Sequence, residues 1–230
     1  MSDANLNDPQ IAADYDLIYA DWDTQVHRLV QIMNRHLPVV PDGRLLDCTC
    51  GAGLSLDAAH RIGWAVTGAD SSPAMLRRAR RRLPDVEYKP IDVCSLDQAF
   101  EDRFDAVISV GNALPMLSRS QLPMALQSMR ACLKGGGALM VAIRDFSERI
   151  KSGVWRDDPV ARVQARFVHQ GGESIVYALD ISDSSGERTH ELTLHPISPL
   201  ALEAAVLAAG FRVTRASRTA GRAVIAASAI

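Results

Sequence analysis

The chain has 230 residues, a formal net charge of -2 and 47% hydrophobic residues. This length suits a single domain, 1–230, with room for a small insertion, and the weak net charge gives no reason to expect nucleic-acid binding. No run approaches the roughly 20 apolar residues that cross a bilayer, and the polar first residues contain no apolar signal segment. We therefore expect a cytoplasmic protein that binds neither nucleic acid nor a membrane.

The first predicted elements alternate between helix and strand. A helix is predicted over 23–36, where apolar side chains recur at helical spacing, and it belongs to an N-terminal helical cap, 1–40. The elements that follow are strands at 45–48, 64–69, 86–89, 104–110 and 138–143, and helices at 54–62, 73–83 and 120–133. This order favours an α/β fold with a doubly wound, mostly parallel sheet.

The pattern changes after residue 145. Polar and apolar residues alternate with period 2 in three segments joined by turn residues, 162–169, 173–181 and 188–196. They predict an inserted antiparallel three-stranded unit within 155–197, which would serve as a lid or as the surface of a homodimer. A helix at 199–209 and strands at 211–217 and 222–229 follow.

A glycine-rich turn follows the first predicted strand, in the run Asp47-Cys48-Thr49-Cys50-Gly51-Ala52-Gly53. Glycine lacks Cβ, so this backbone can turn sharply and let a ligand approach closely. The next helix offers free N–H groups in its first turn. The dinucleotide pattern G-x-G-x-x-G is absent because position 56 is leucine, and no P-loop lysine follows.

Polar residues stand at the ends of successive predicted strands. They are Asp47, Asp70, Asp92 and the pair Gly111-Asn112. Ligands of open parallel sheets bind beyond the carboxyl ends of the strands, where Asp70 would suit a ribose diol and Asp92 would suit an exocyclic amine. Each acid alone is also typical of a helix cap or a turn. Together they indicate a ligand that contains a nucleoside.

These segments resemble the class I S-adenosylmethionine-dependent methyltransferases. The similarity covers roughly residues 15–145 and is carried by Leu45–Gly53, Val66–Leu76, Phe104–Ile108 and Leu133–Gly137. It implies a Rossmann-like methyltransferase fold whose seven-stranded sheet has an antiparallel last strand. It also implies S-adenosyl-L-methionine as the cofactor and S-adenosyl-L-homocysteine as the product.

The resemblance implies a role for each part of the cofactor site. Gly51 and Gly53 would pass close to the methionine part, Asp70 would hold the ribose, and Asp92 with Val93 would contact adenine. The cofactor-binding residues that we predict are Tyr19, Trp22, Asp47, Cys48, Gly51, Gly53, Asp70, Ser71, Met75, Asp92, Val93 and Gly111.

Three segments are similar to the glycine and sarcosine N-methyltransferase group: Asp14–Asp23, Gly111–Leu117 and Ile143–Phe146. This narrower resemblance implies that Arg144 binds a substrate carboxylate. Our predicted catalytic residues are Tyr15, Asn112 and Arg144. Aromatic side chains at Tyr15, Tyr19 and Trp22 would close over the cofactor, because a methylsulfonium is attracted to aromatic faces.

The sequence departs from that group at three positions. Thr49 replaces the first glycine of the class pattern, Met116 stands where the group often has histidine, and Asp145 stands where it often has asparagine. We therefore expect methyl transfer to a small polar substrate, the amine of an amino acid or related carboxylate, without assigning glycine itself. A small-molecule O-methyltransferase of natural-product metabolism, an NAD-binding dehydrogenase and a non-catalytic cofactor-binding protein stay open as alternatives.

Metal binding is not expected. Cys48-x-Cys50 has no second cysteine pair, and the six histidines show no metal spacing. The basic run 77–82 lies on a predicted helix, where a solvated face explains it.

Overall fold

The structure is a computed structural model that describes residues 9–19, 21–100, 104–145, 153–171, 173–219 and 221–230. Six helices occupy the described residues: α1 Pro9–Ile18, α2 Trp22–His36, α3 Leu54–Arg61, α4 Pro73–Arg82, α5 Gln121–Ala131 and α6 Pro199–Ala208. Short 3-10 helices lie at Val93–Gln98 and Leu114–Met116. Among these residues no helix is long and apolar enough to span a bilayer.

Two sheets contain the strands. The larger is built from β1 Arg44–Asp47, β2 Ala65–Asp70, β3 Glu87–Pro90, β4 Phe104–Val110, β5 Leu133–Arg144, β10 Phe211–Thr219 and β11 Arg222–Ala229, in the order β10-β11-β5-β4-β1-β2-β3. The smaller is built from β6 Gly153–Asp157, β7 Ala161–Gly171, β8 Ser174–Asp183 and β9 Gly186–Leu194.

The larger sheet confirms the predicted fold class. Its central strands are parallel, and only β11 runs antiparallel to its neighbours β5 and β10. The chain moves outward from β1 through β2 to β3 and then returns to pair β4 with β1. This reversal opens a crevice beyond the carboxyl ends of β1 and β4, the usual ligand site of such sheets.

The smaller sheet confirms the predicted antiparallel unit and adds a fourth strand, β6. The five residues of β6 are too few for a period-2 pattern to stand out in the sequence. One face of this sheet buries Ile175, Tyr177 and Leu179, which pack against Ile18 of α1 and Met116. The inserted unit therefore closes over the same sheet edge as α1.

Local sequence signals set the helices that border the crevice. Ser72 caps α4 by accepting from the Met75 N–H, and Pro73 occupies the first turn of that helix. On α2 the residues Val26, Leu29 and Met33 repeat on one face and pack on the larger sheet. These helices hold the loops after β1 and β2 in fixed positions.

Candidate active site

The glycine-rich turn joins β1 to α3 in backbone conformations that favour glycine. Gly51 has φ +52° and Gly53 has φ +94°. A Cβ built on Gly51 meets no atom within 4 Å, so the space beside it is open. A Cβ on Gly53 would lie 3.3 Å from the Ala79 Cβ, so Gly53 allows the turn to pack against α4. Of the two glycines predicted in this turn, only Gly51 lines the cavity described next.

A cavity, which we call the cofactor cavity after the ligand that the sequence predicts, lies between this turn, α1 and the smaller sheet. Nine of the predicted or neighbouring residues line it: Tyr15, Tyr19, Thr49, Gly51, Asp70, Met75, Gly111, Asn112 and Met116. The smaller sheet supplies Leu179, Leu192 and Leu194. The cavity therefore combines a mostly apolar lining with a few polar groups, as small-molecule sites usually do.

Asp70 ties the two loops of this cavity together. One carboxylate oxygen accepts from the Gly51 N–H at 2.9 Å, and the other accepts from the Ser72 N–H at 2.8 Å. Burial raises the pKa of Asp70, and the two backbone hydrogen bonds oppose that shift. Each oxygen keeps a lone pair for a ligand, so the geometry suits the predicted contact with a ribose diol.

Four more predicted residues line a narrow extension on the other side of Asp70. They are Cys48, Ser71, Asp92 and Val93. Asp92 is exposed and accepts from the Cys94 N–H at 2.7 Å, whereas Val93 is buried. A planar apolar group with a hydrogen-bond donor at its edge would match this pair.

Like Gly53, the predicted cofactor contacts Asp47 and Trp22 are not among the residues that line these cavities. Asp47 is fully buried and accepts from the Ser55 hydroxyl and from the Thr49 N–H. Burial raises the pKa of Asp47 to about 7. The Trp22 indole donates to Asp57 at 2.8 Å and packs under a guanidinium of α4. Both side chains therefore bind neighbouring residues outside the cavity lining.

The aromatic pair Tyr15 and Tyr19 forms one wall. The two rings stack with centroids 4.6 Å apart. Removal from water raises the pKa of both phenols, so both stay neutral at pH 7. They therefore present aromatic faces and hydroxyl groups but no phenolate base.

A second cavity of about 300 Å³ adjoins the first and shares Tyr19, Gln25, Gly111, Asn112 and Arg222 with it. Arg144 lines only this second cavity. Arg222 was not predicted, because its place depends on the pairing of β11 with β5, which no local sequence pattern reveals. The volume of this second cavity lies near the lower end of the range for small-molecule sites, roughly 300–1,000 Å³. A molecule here would lie next to the cofactor cavity.

Helix α1 covers the cofactor cavity, and its charged side chains pair with groups on the smaller sheet and on α4. Asp14 accepts from Arg188 Nε and from His190 Nε2, each at 2.7 Å, and Arg188 lowers the pKa of Asp14. On the opposite side Asp16 pairs with Arg78 and with Arg82 of the basic run on α4. The sequence did not predict these links, because they join segments far apart in the chain.

Within the described part of the chain, no group of three histidine, cysteine, aspartate or glutamate side chains could hold a metal ion. The residues that line the cofactor cavity do fit S-adenosylmethionine. The open space beside Gly51 and the carboxylate of Asp70 are the two observations that carry this fit.

Comparison with known proteins supports the same assignment. A family model described as a methyltransferase domain matches residues 45–137. A dTDP-3-amino-3,4,6-trideoxy-alpha-D-glucopyranose N,N-dimethyltransferase of Streptomyces venezuelae is 28% identical over 214 residues, 86% of this chain and 89% of that protein. Human glycine N-methyltransferase is 28% identical over 128 residues, 48% of this chain and 43% of the relative. The match to a trans-aconitate 2-methyltransferase of Methylobacterium nodulans, 35% identical, spans 34% of either chain.

Solved structures share the whole fold. The CcbJ methyltransferase from Streptomyces caelestis superposes with a TM-score of 0.81 at 18% identity, over 100% of both chains. The S-adenosylmethionine-bound amino pentose methyltransferase CalS10 from Micromonospora echinaspora gives 0.74 at 24% identity, over 94% of this chain and 96% of the other. The matched residues 45–137 contain the glycine-rich turn and the strand ends that border the cofactor cavity, and these similarities support a class I S-adenosylmethionine-dependent methyltransferase.

Proposed function

We propose that this methyltransferase acts on the amine of a small polar molecule that carries an anionic group. The supporting observation is the continuity of the two cavities through Gly111 and Asn112, with Arg144 at the far end. A guanidinium can hold a carboxylate or a phosphate by two parallel hydrogen bonds. An acceptor anchored there would direct its other end toward the cofactor cavity.

The proposed roles follow the walls of the cavities. Gly51, Asp70 and Met75 would hold the cofactor, which supplies an electrophilic methyl group on a positively charged sulfur. Arg144 and Asn112 would orient the acceptor. Alignment of this kind can contribute about 7–11 kcal/mol in favourable intramolecular reactions. The residues of the chain therefore need to supply little acid, base or nucleophilic catalysis.

No strong base is required of the described residues. The phenols at Tyr15 and Tyr19 are neutral, and their hydroxyl oxygens can accept a hydrogen bond from an amine N–H. The amine would bind in its neutral form, and the proton released after transfer would pass to water. The rate of methyl transfer should therefore rise with pH until the ammonium group of the unbound acceptor is fully deprotonated.

A second candidate acceptor is a nucleotide-linked amino sugar. Two relatives that cover 86% and 78% of this chain are named as N,N-dimethyltransferases of dTDP-linked amino sugars, at 28% identity over 214 residues and 29% over 185. Such a molecule combines an amine with an anionic diphosphate. An oxygen acceptor is the other alternative, because ubiquinone biosynthesis O-methyltransferases of Xanthomonas campestris are 34% identical over 110 residues.

The test is a screen for S-adenosylhomocysteine release with amino acids, amino sugars, amino sugar phosphates and phenolic acids. For any acceptor found, Arg144→Ala should raise the KM for that acceptor roughly 10- to 100-fold, because one charged hydrogen-bonded contact is lost. The matched control is Arg218→Ala, because Arg218 is exposed on β10 and lines none of these cavities. Unchanged KM and kcat in Arg144→Ala would remove Arg144 from the substrate site.

A further inference from the structure

The hydroxyl of Thr49 contacts a buried hydroxyl on the neighbouring strand. Thr49 directly follows β1, and its Oγ1 lies 2.9 Å from Oγ of Ser109 on β4. The pairing of β1 with β4 sets this contact, because the Cys48 N–H donates to the Ile108 carbonyl at 3.0 Å. Thr49 stands where the class pattern has its first glycine, and glycine there would leave the Ser109 hydroxyl without this contact.

The hydrogen atoms of the two hydroxyls show which one donates. Each hydroxyl has a single hydrogen. Ser109 is 2% exposed, and within the described part of the chain its hydroxyl has no hydrogen-bond partner other than Thr49. If Thr49 donated to Ser109, the Ser109 hydrogen would be buried without an acceptor, which is costly. Ser109 therefore donates to Thr49, and the Thr49 hydrogen has no acceptor among the described residues.

Thr49 lies where its hydroxyl can reach a ligand. It is half-buried and lines both the cofactor cavity and the narrow extension beside Asp70. Four residues line both spaces, and of these only Thr49 and Asp70 carry a side-chain oxygen, the others being Ala113 and Met116. With adenine in the extension and the methionine part in the cofactor cavity, the ribose that joins them would lie against Thr49 and Asp70.

The side chains of Thr49 and Asp70 are complementary in their hydrogen bonding. An ionised carboxylate only accepts, whereas the Thr49 hydroxyl has a hydrogen to donate, and a ribose hydroxyl does both. We propose that Thr49 is a cofactor-binding residue that donates to a ribose oxygen of S-adenosylmethionine, and that Ser109 is a positioning residue that holds the Thr49 hydroxyl. This inference requires the cofactor but not the amine acceptor of the proposed function.

The direct test measures ligand binding to the full chain by calorimetry, without turnover. S-adenosylhomocysteine contains the ribose and the methionine part, whereas 5′-methylthioadenosine contains the ribose but no amino acid. Thr49→Val replaces the hydroxyl by a methyl group of similar size, and Thr49→Ala removes it with less bulk. Both variants should weaken the two ligands by the same factor, roughly 3- to 10-fold, as expected for one neutral hydrogen bond. Thr49→Ser keeps the hydroxyl and should bind both ligands nearly as tightly as the unmodified chain.

A double-mutant cycle tests the positioning role of Ser109. Ser109 lines neither the cofactor cavity nor the extension, so Ser109→Ala removes no ligand contact. It should still weaken both ligands about threefold, because the Thr49 hydroxyl loses the group that orients it. In the Thr49→Val background, Ser109→Ala should cause no further loss of affinity, since the hydroxyl that it positions is already absent. Equal losses in the two backgrounds would contradict this role of Ser109.

Thr214→Val is the matched control. Thr214 on β10 donates to the Ala226 carbonyl at 3.1 Å and lines neither space, so this variant should bind both ligands unchanged. Unchanged affinities in Thr49→Val and Thr49→Ala, equal losses in Thr214→Val, or a loss seen only with S-adenosylhomocysteine would overturn the proposal. The predicted losses in a chain that methylates no amine would retain the role of Thr49 and reject the proposed function. Amine methylation by a chain in which Thr49→Val leaves both affinities unchanged would do the reverse.

Discussion

Replacing Asp47 with asparagine should remove a pH-dependent loss of stability. Asp47 is fully buried at the end of β1, and burial raises its pKa from 3.8 to about 7. In the unfolded chain the carboxyl titrates near 3.9. Between these two values the folded chain binds more protons than the unfolded chain, so this group lowers the free energy of unfolding as pH rises from about 4 to about 7.

The size of the effect follows from the shift. A difference of about 3 pKa units at about 1.36 kcal/mol each corresponds to roughly 4 kcal/mol, fully developed above pH 7. Asparagine has no charge to titrate. Its amide can accept from the Thr49 N–H and donate to the Ser55 hydroxyl, the two groups that now bind Asp47. Asp47→Asn should therefore show a flatter stability curve, with its advantage largest near pH 8.

Urea unfolding followed by circular dichroism at several pH values between 4 and 8 measures this difference. Asp105→Asn is a control of opposite sign, because Asp105 accepts from Lys134 at 2.6 Å and this contact lowers its pKa. Asp105 contributes stability above pH 4 and loses it as pH falls. Parallel curves for Asp47→Asn and the unmodified chain would refute the reasoning about the buried carboxyl.

Three further changes test the smaller sheet, helix α1 and the glycine-rich turn. Tyr177→Phe removes a buried hydroxyl that has no hydrogen-bond partner among the described residues, and should raise the free energy of unfolding by about 1 kcal/mol in urea titrations; a loss would show that the hydroxyl is partnered. Asp14→Asn weakens the links of α1 to Arg188, and should weaken S-adenosylhomocysteine binding about tenfold by calorimetry, whereas unchanged affinity would remove α1 from the site. Gly51→Ala should weaken cofactor binding at least about tenfold. Gly63 also has a positive φ and free space around its Cβ, so Gly63→Ala should lower the free energy of unfolding by a similar amount without changing cofactor binding. Equal losses of binding in the two variants would assign the effect to backbone strain.

The parts of the site that local sequence signals predict lie in the first half of the chain. Asp70 follows an apolar strand and precedes the Ser72-Pro73 helix start, so its position at the sheet edge is fixed by neighbours in sequence. Gly51 is equally local, because a tight turn between a strand and a helix requires its positive φ. In both cases the feature depends on a few consecutive residues.

Other contributions depend on pairings between distant segments. Asp47 stands at a strand end, as predicted, but only packing shows that its carboxylate binds Ser55 and lies outside the cavity lining. Arg222 reaches the second cavity through the register of β11 on β5. Asp14 meets Arg188 across more than half the chain. Such contacts leave no periodicity in the sequence.

The proposed function is tested most directly by following a labelled methyl group. The chain is incubated with methyl-labelled S-adenosylmethionine and a panel of amines with one or two anionic groups, and the products are identified by mass spectrometry. We predict label on nitrogen, with one S-adenosylhomocysteine released for each methyl transferred. Label on oxygen, or cofactor binding without transfer to any amine in the panel, would contradict the proposal.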